Sequence, residues 1–383
     1  MRILHLCLGN YFADNYSYQE NMLPKYHAKQ GHFVEVIASL FTFNAEGKGE
    51  YLTEACRYRD ENGFDVVRLN YKRPLKWNRF FRHFEMLYEE IEKFVPDVIF
   101  SHNVSYGDTI VVKKYLNRNP KVLLFADNHA DYINSARNWA SRHILHPIIW
   151  RHYAKVIEPY MTKCFGVTPM RCRFLKEVYR IRPSIVEYLP LGVDDDSIPT
   201  NKEEVRNRIR NNLGVKEDDL LFFTGGKIGK MKNTHVLLEA LSDLDNPRLH
   251  LVICGSLAAD MEYLKEQIDA CENYHYLGWC DGTQVIEYMV AADVACFPGT
   301  HSTLWEQSVG MGLPSIFKHW NEMDQVNING NCVFVKGEDK EELKMAISRF
   351  LDQVYYQRMK FLSVTASKSY LYSEIANKAI GLS

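Results

Sequence analysis

The sequence predicts an α/β protein built as two doubly wound halves, each a mostly parallel sheet with helices on both faces. Two observations carry that prediction. Short, near-continuous apolar runs alternate with longer amphipathic segments over most of the 383 residues. That is the order expected when strands are buried on both faces and joined by crossover helices. The alternation is interrupted near 190–200, where Asp194-Asp195-Asp196 precedes a charged helical stretch at 202–212 and a second series begins.

Taken in order, the first half has expected strands at 3–8, 33–38, 65–69, 98–101, 122–126, 164–168 and 185–189. Its helices are expected at 18–30, 80–94 and 147–160. The second half has strands at 220–224, 250–254, 275–277, 294–297, 315–317 and 332–335, and a helix from 340 to 356 or beyond. These series divide the chain into Rossmann-like domains, 1–190 and 191–366. Periodicity leaves open whether 367–383 crosses back to complete the first.

Bulk composition narrows the partners. A formal net charge of −2, with 46% apolar and 25% charged residues, is the balance of a globular protein without a global field for nucleic acid or anionic lipid. Nine cysteines without a Cys-x-x-Cys pair indicate neither a zinc cluster nor a disulfide framework, and read as reduced core thiols. The first apolar run, 1–8, is too short for a signal peptide, and no run approaches the roughly 20 residues that span a bilayer. A cytoplasmic protein is the expectation.

Ligands of doubly wound sheets bind beyond the carboxyl ends of the strands. That rule selects Gly9-Asn10, Asp127-Asn128-His129, the loop from Gly225 to Lys230, Gly255-Ser256, Gly278-Trp279 and 298–305. Two such domains facing across a cleft would line it with these loops. The most informative is Gly225-Gly226-Lys227-Ile228-Gly229-Lys230-Met231-Lys232-Asn233, set between an apolar run and a helical segment. A strand, a glycine-rich turn and a helix aim backbone N–H groups and cations at an anion. Lys227 and Lys232, five residues apart, suit the two phosphoryl groups of a diphosphate. A Walker A loop is excluded, because the spacing is one residue short and Met231 replaces the magnesium-binding hydroxyl. A dinucleotide fingerprint is absent. The plain alternative is a solvated lysine-rich loop.

Several segments together resemble a known family. Gly31-His32 before a strand, Pro96-Asp97-Val98-Ile99 with His102, Pro190-Leu191-Gly192-Val193-Asp194, the Gly226 to Lys232 loop, and Glu306 followed by Gly312-Leu313-Pro314 occur in the family's order. The chain thus resembles a retaining glycosyltransferase of family 4 with the GT-B fold, of the kind that builds bacterial surface polysaccharides. Lys227 stands where the family has arginine, which keeps the charge but loses the bidentate fork. The first glutamate of the family's Glu-x7-Glu signature is missing, Pro298 standing eight residues before Glu306. His301 or Ser302 would then cover part of its contact with the donor sugar.

The resemblance implies transfer from a nucleotide-diphosphate sugar, with UDP the expected carrier, onto a polysaccharide or lipid-linked oligosaccharide. Negative charge grows on the diphosphate as the anomeric bond breaks, so the catalyst is mainly electrostatic. Lys227 and Lys232 are its candidate cations, aided by the N–H groups of Ser302, Thr303 and Leu304 at a helix start. His129 is the candidate histidine at the donor sugar, with Asp127 or Asp131 fixing its tautomer. Glu306 is the candidate ribose anchor, and Trp279 the candidate partner of the base. Gly9 and Asn10 would approach the diphosphate, and Gly226 belongs to the donor loop. No cofactor or metal is expected. Asp194-x-Asp196 and Asp243-x-Asp245 fit a metal-binding spacing but sit in a linker and a polar turn.

One basic-aromatic stretch contains Lys72, Arg73, Lys76, Arg79 and Arg82 without an acid, and a second runs from 137 to 155. Either is a candidate contact with an acceptor at the inner membrane surface, or simply a solvated face. Nucleic acid is not an expected partner, since no recognisable module is present. Two other readings stand beside transfer. One is an epimerase-like or hydrolytic enzyme on UDP-sugars, and the other a non-catalytic sugar-nucleotide-binding subunit.

Overall fold

The computed structural model describes residues 1–44, 48–74, 77, 81–320 and 322–382. The chain forms two compact units, Met1–Pro190 with Ile375–Ser383, and Leu191–Glu374. The return to the first unit thus begins at Ile375 rather than at 367.

The first unit carries β1 (Arg2–Cys7), β2 (Phe33–Ser39), β3 (Phe41–Phe43), β4 (Gly49–Tyr51), β5 (Cys56–Arg59), β6 (Asp65–Leu69), β7 (Val98–Ser101), β8 (Leu123–Asn128), β9 (Met161–Gly166) and β10 (Val186–Tyr188). Eight of these form one sheet in the order β10-β9-β8-β7-β1-β2-β6-β5. All its pairings are parallel except β5 on β6. β1 is buried from Ile3 to Cys7 and β8 from Leu124 to Asn128, which is why each reads as a mainly apolar run despite His5, Asp127 and Asn128. β3 and β4 make a separate antiparallel hairpin.

The second unit carries β11 (Leu220–Gly225), β12 (Leu249–Cys254), β13 (Tyr274–Gly278), β14 (Val294–Phe297), β15 (Ser315–Lys318) and β16 (Cys332–Val335). They form one parallel sheet, β13-β12-β11-β14-β15-β16. Successive residues of β11 feed opposite faces: Leu220 and Phe222 enter one core, Leu221 and Phe223 the other. Counted from its own first strand, the order is 3-2-1-4-5-6, the nucleotide-binding arrangement. Its strand order reverses between β11 and β14. In the first unit the corresponding reversal lies between β1 and β7. Both predicted halves are therefore doubly wound, as the sequence indicated.

Three helices differ from expectation. Among the described residues, the segment predicted at 80–94 is helical at Phe81 and over Leu87–Phe94, with a break between them. Phe84 instead forms an antiparallel bridge with Tyr71 and donates its N–H to Asp108 Oδ2 at 2.7 Å, while 78–80 lie outside the described residues. The helix predicted from 147 begins earlier, as wide π-helical turns over Ser141–Trp150 containing Pro147, and continues as Arg151–Ile157. Proline has no N–H to give the ordinary i−4 bond, which favours a local change of pitch. The helix predicted at 340–356 is two, Lys340–Arg349 and Gln353–Ser367. Asp352 separates them by accepting from the N–H groups of Val354 and Tyr355 at 2.8 and 3.1 Å. Among the described residues no helix is long and apolar enough to cross a membrane.

Burial pushes His27, His146 and His275 down to about 4. In the unfolded chain a histidine titrates near 6.5 (about that value in peptides). Between roughly 6.5 and 4 the unfolded state therefore binds more protons, and stability must rise with pH across that window. Melting temperature is expected to fall steadily as pH is lowered from 7 to 5. Replacing His146 by Gln should flatten part of that slope; an unchanged slope would remove this residue from the account.

Candidate functional site

In the first unit the loops after β1, β7 and β8 converge. A Cβ on Gly9 would stand 3.0 Å from Asn103 Cβ and 3.1 Å from Tyr106 Cδ1, so the glycine lets the β1 and β7 loops pack together. Asn10 Nδ2 donates to Glu20 Oε1. Glu20 Oε1 lies 3.8 Å from His129 Nε2, and Asp127 Oδ2 lies 3.5 Å from the same nitrogen. His129 thus presents Nε2 to two carboxylates, which assigns the ring proton to that nitrogen. Burial alone would lower its pKa, but Asp127 and Glu20 raise it above the usual value. Burial would likewise raise Asp127, yet His129 and His102 hold it well below the usual carboxylate range.

Asp127, which is fully buried, also accepts from the N–H of Asn103 at 2.8 Å and lies 3.1 Å from His102 Nδ1. Asp131, the other residue expected to orient His129, is engaged elsewhere. Its Oδ1 accepts from the N–H groups of Ile133 and Asn134, both at 2.7 Å, and its Oδ2 faces Arg171 Nε at 3.2 Å. Glu20, on the helix Gln19–Lys29, is not among the residues expected from the sequence. No local pattern marks it; only the fold brings it to the β8 loop.

In the second unit the loops after β11, β12 and β14 meet where the strand order reverses. Gly255 has φ +148°, and a Cβ there would lie 1.8 Å from Gly226 O. A Cβ on Gly299 would lie 2.3 Å from the backbone of Lys232. These glycines allow three backbones to touch. Ile228 donates to Ser256 O at 2.9 Å, and buried Asn233 donates to Pro298 O and Gly337 O at 3.0 and 2.9 Å. The lysine loop is thereby fastened on both sides.

The two candidate lysines differ within that loop. Lys227 is exposed. Lys232 Nζ donates to Thr300 O at 2.7 Å and His301 O at 3.2 Å, and burial brings its amine down to about 8. It is a partly committed cation with a donor to spare. Among the described residues, the N–H groups of Ser302, Thr303 and Leu304 donate to no other protein group, and Ser302 Oγ is buried without a partner. They precede and begin the helix Leu304–Gly310. Unused donors therefore gather opposite the lysine loop.

The other candidate residues are placed as follows. Glu306 is fully buried, with both carboxylate oxygens on His301 Nε2 at 2.8 and 3.0 Å and Oε1 also 3.1 Å from Gln325 Nε2. It is not an open carboxylate, and a ribose contact would displace one of these partners. Trp279 is 74% exposed beyond β13, an available indole and not a core aromatic. Arg82 is not a free surface cation. Its Nη1 donates to Gly9 O and to Ser105 O (the latter at 3.0 Å), and its guanidinium lies 5.1 Å from the Trp150 ring, so it braces the β1 loop. Lys72 is exposed; Arg73 is exposed with its guanidinium 5.7 Å from the Phe81 ring. Lys76 and Arg79 lie outside the described residues. Asp194 accepts from Ser197 Oγ at 2.9 Å, and Asp243 pairs with Lys340 at 2.8 Å, which accounts for both Asp-x-Asp sequences locally.

Comparison with known proteins bears on what this arrangement serves. The profile for glycosyl transferases group 1 matches residues 205–360, and that for glycosyltransferase family 4 matches residues 22–197. No curated protein matches the sequence. The fold is similar to a glycosyltransferase from Rickettsia africae, with TM-score 0.67, 15% identity, and 99% of this chain and 97% of that chain covered. It is also similar to Anabaena HepE in complex with UDP, with TM-score 0.66, 13% identity and 99% and 98% covered. A third similar fold is the UDP-GlcNAc 2-epimerase from Neisseria meningitidis bound to UDP-GlcNAc, with TM-score 0.61, 12% identity and 100% and 99% covered.

The close approach at Gly299 generates a prediction. Gly299→Ala forces a methyl group onto the Lys232 backbone, and over-packing of this kind costs about 1–3 kcal/mol. The urea midpoint should fall with the m-value unchanged. A wild-type midpoint would show that the loops separate without cost.

Proposed function

This chain belongs to the family 4, group 1 glycosyltransferases, and from that premise we propose that it is a retaining enzyme using a UDP-sugar donor without a metal. Its acceptor on this reading is a growing polysaccharide or a lipid-linked oligosaccharide. The observation that carries the proposal is the set of unused donors at the strand-order reversal of the second unit. Lys227, Lys232 and the free N–H groups of Ser302, Thr303 and Leu304 form a place where a diphosphate replaces missing partners.

The chemistry follows from charge. As the anomeric C–O bond breaks, a negative charge develops on the departing diphosphate, and pre-placed cations and N–H donors stabilise it without reorganising. Lys232, held by two carbonyls, is oriented before substrate arrives. Lys227 is free to close on the outer phosphoryl group. In the first unit, His129 turns its Nε2–H toward Asp127 and Glu20 and keeps Nδ1 for the sugar or the reacting centre. Similarity to the UDP complex of HepE supports UDP as the carrier.

For the acceptor, the stretch 137–155 is the stronger surface. Trp139 is 70% exposed, with Ile144 and Ile148 also exposed near Arg142 and Arg151. Exposed aromatic and aliphatic groups among cations suit the interfacial layer of an anionic membrane.

The test is a melting-temperature panel of UDP, GDP and ADP, with and without magnesium. UDP should raise the melting temperature equally with and without the metal. Since burial brings Lys232 to about 8, UDP affinity should decline as pH rises through that value and the ammonium is lost. Lys232→Ala should weaken UDP binding and abolish that pH dependence. No stabilisation by any of the three nucleotides would sink the donor site. UDP release without an acceptor would instead favour the hydrolytic or epimerase-like reading.

A further inference from the structure

Behind Asp127 the first unit contains a continuous row of buried imidazoles. His102 Nδ1 lies 3.1 Å from Asp127 Oδ2, and His102 Nε2 lies 3.0 Å from His5 Nδ1. His5 Nε2 lies 3.0 Å from His27 Nδ1, and His27 Nε2 lies 2.8 Å from Ala376 O. All three rings are fully buried. Adjacent rings are roughly parallel, at 24° and 27°. The residues come from β1, the first helix, the end of β7 and the C-terminal return.

Proton counting constrains this row. A carbonyl oxygen only accepts, so His27 Nε2 must carry a proton. If His27 is neutral, its Nδ1 accepts from His5 Nε2–H, and His5 Nδ1 then accepts from His102 Nε2–H. His102 Nδ1 is left as a bare lone pair facing Asp127. The row has acceptors at both ends and four contacts, but three neutral imidazoles carry only three N–H protons. One contact fails unless a fourth proton is present.

We propose that this row holds one proton beyond those of three neutral imidazoles, carried on His102 against ionised Asp127, and that it sets the charge with which Asp127 addresses His129. The position of the proton follows from its surroundings. Asp127 Oδ1 accepts the Asn103 N–H at 2.8 Å and Oδ2 faces two histidines, which favours the carboxylate anion. His5 and His27 have no carboxylate partner, and burial holds both below the ordinary histidine value. The other titratable groups around the row do not supply the proton. Cys7 and Cys164 beside Asp127 are pushed up by burial and stay neutral. His32 faces His27 at 6.2 Å and is itself lowered by burial. Arg171 and Glu20 act on His129 from the other side.

His102, His5 and His27 are positioning residues, acting through Asp127 without touching substrate. Their effect on transfer rests on the role proposed for His129; the proton count does not. Removing the far acceptor should reverse the row. In His27→Met, His5 has no partner at Nε2, so its proton moves to Nδ1 and His102 gives Nδ1–H to Asp127. Two neutral rings then satisfy both remaining contacts and the extra proton leaves. In His27→Gln, the amide accepts from His5 and donates to Ala376 O, so the original polarity and the proton are retained.

The experiment is imidazole ¹⁵N NMR of the full chain, labelled at histidine, at pH 8 and in a His129→Gln background that removes the other ring near Asp127. One doubly protonated ring is expected, retained in His27→Gln and lost in His27→Met. Only singly protonated rings in the parent, or a doubly protonated ring that survives His27→Met, would overturn the proposal. Transfer assays with His129 intact provide the second readout. Asp127 is uncompensated in His27→Met, so the pH–rate limb governed by His129 should move up by about one unit, and in His27→Gln it should not. If the NMR result holds and the limb stays in place, the proton count stands and the role given to His129 fails.

Discussion

A carboxylate cannot be left alone inside a parallel sheet, and each unit of this protein is organised around one. Taking a charge out of water costs several kcal/mol, roughly, unless partners and hydrogen bonds replace the solvent. In the second unit the charge is Asp293, just before β14. It faces Arg206 at 2.6 Å and Arg210 at 2.7 Å, accepts from the N–H of Leu221 at 2.8 Å, and receives the Tyr356 hydroxyl at 3.0 Å. Burial would raise it, and the two guanidiniums bring it below the usual carboxylate value. In the first unit the charge is Asp127, at the end of β8, and its partners are histidines. The two clusters solve the same electrostatic problem with different chemistry. Guanidinium stays charged under all ordinary conditions, so the Asp293 cluster is a fixed clamp. Imidazole can both donate and accept, so the Asp127 cluster depends on where its ring protons sit.

The two carboxylates stand at opposite ends of their strands. Asp293 stands at the amino end of its strand, away from the ligand-binding edge of a doubly wound sheet. Asp127 stands at the carboxyl end, where the loops carrying Gly9, Asn10, Asn103 and His129 come together. The same rule applies to cations. Lys232 occupies the carboxyl edge of β11 and keeps a donor to spare, whereas Arg82 spends its donors on Gly9 O and Ser105 O. Counting basic residues along the sequence treats these alike, and only their hydrogen-bond partners tell them apart.

Much of the fold was legible because the parallel strands are buried on both faces. Runs such as Leu220-Leu221-Phe222-Phe223 announce themselves locally, and all thirteen predicted strands lie in the two parallel arrays. The antiparallel pieces were not legible. β5 alternates half-buried and exposed residues, and β4 is exposed throughout, so neither makes an apolar run. The lysine loop could be read because its glycines and cations are contiguous. The histidine row could not, since residues 5, 27 and 102 lie in separate segments and their final acceptor is at 376. His5 sits in an apolar stretch, His102 just beyond one and His27 between two lysines, and no local pattern links the three. Their meaning lies in the register of β1 with β7, which pairs His5 with Phe100 and sets it beside His102.

On the proposed function, Glu306 and His301 are a way for a departure from the family pattern to preserve chemistry. His301 Nε2 contacts both oxygens of a fully buried carboxylate, so that nitrogen carries the ring proton. In the neutral ring Nδ1 is then an acceptor. A glutamate facing a sugar hydroxyl is also an acceptor. On the proposed reading, His301 therefore offers a hydroxyl the same kind of partner as the missing glutamate, at lower charge and on a stiffer side chain. Glu306 would act through it, fixing the tautomer, instead of gripping the ribose. Gln325 Nε2 donates to Oε1 of the same carboxylate at 3.1 Å. The arrangement repeats the logic of Asp127 and His129 in the other unit: a buried acid fixes which nitrogen of a histidine carries the proton, and the other nitrogen is left for the ligand.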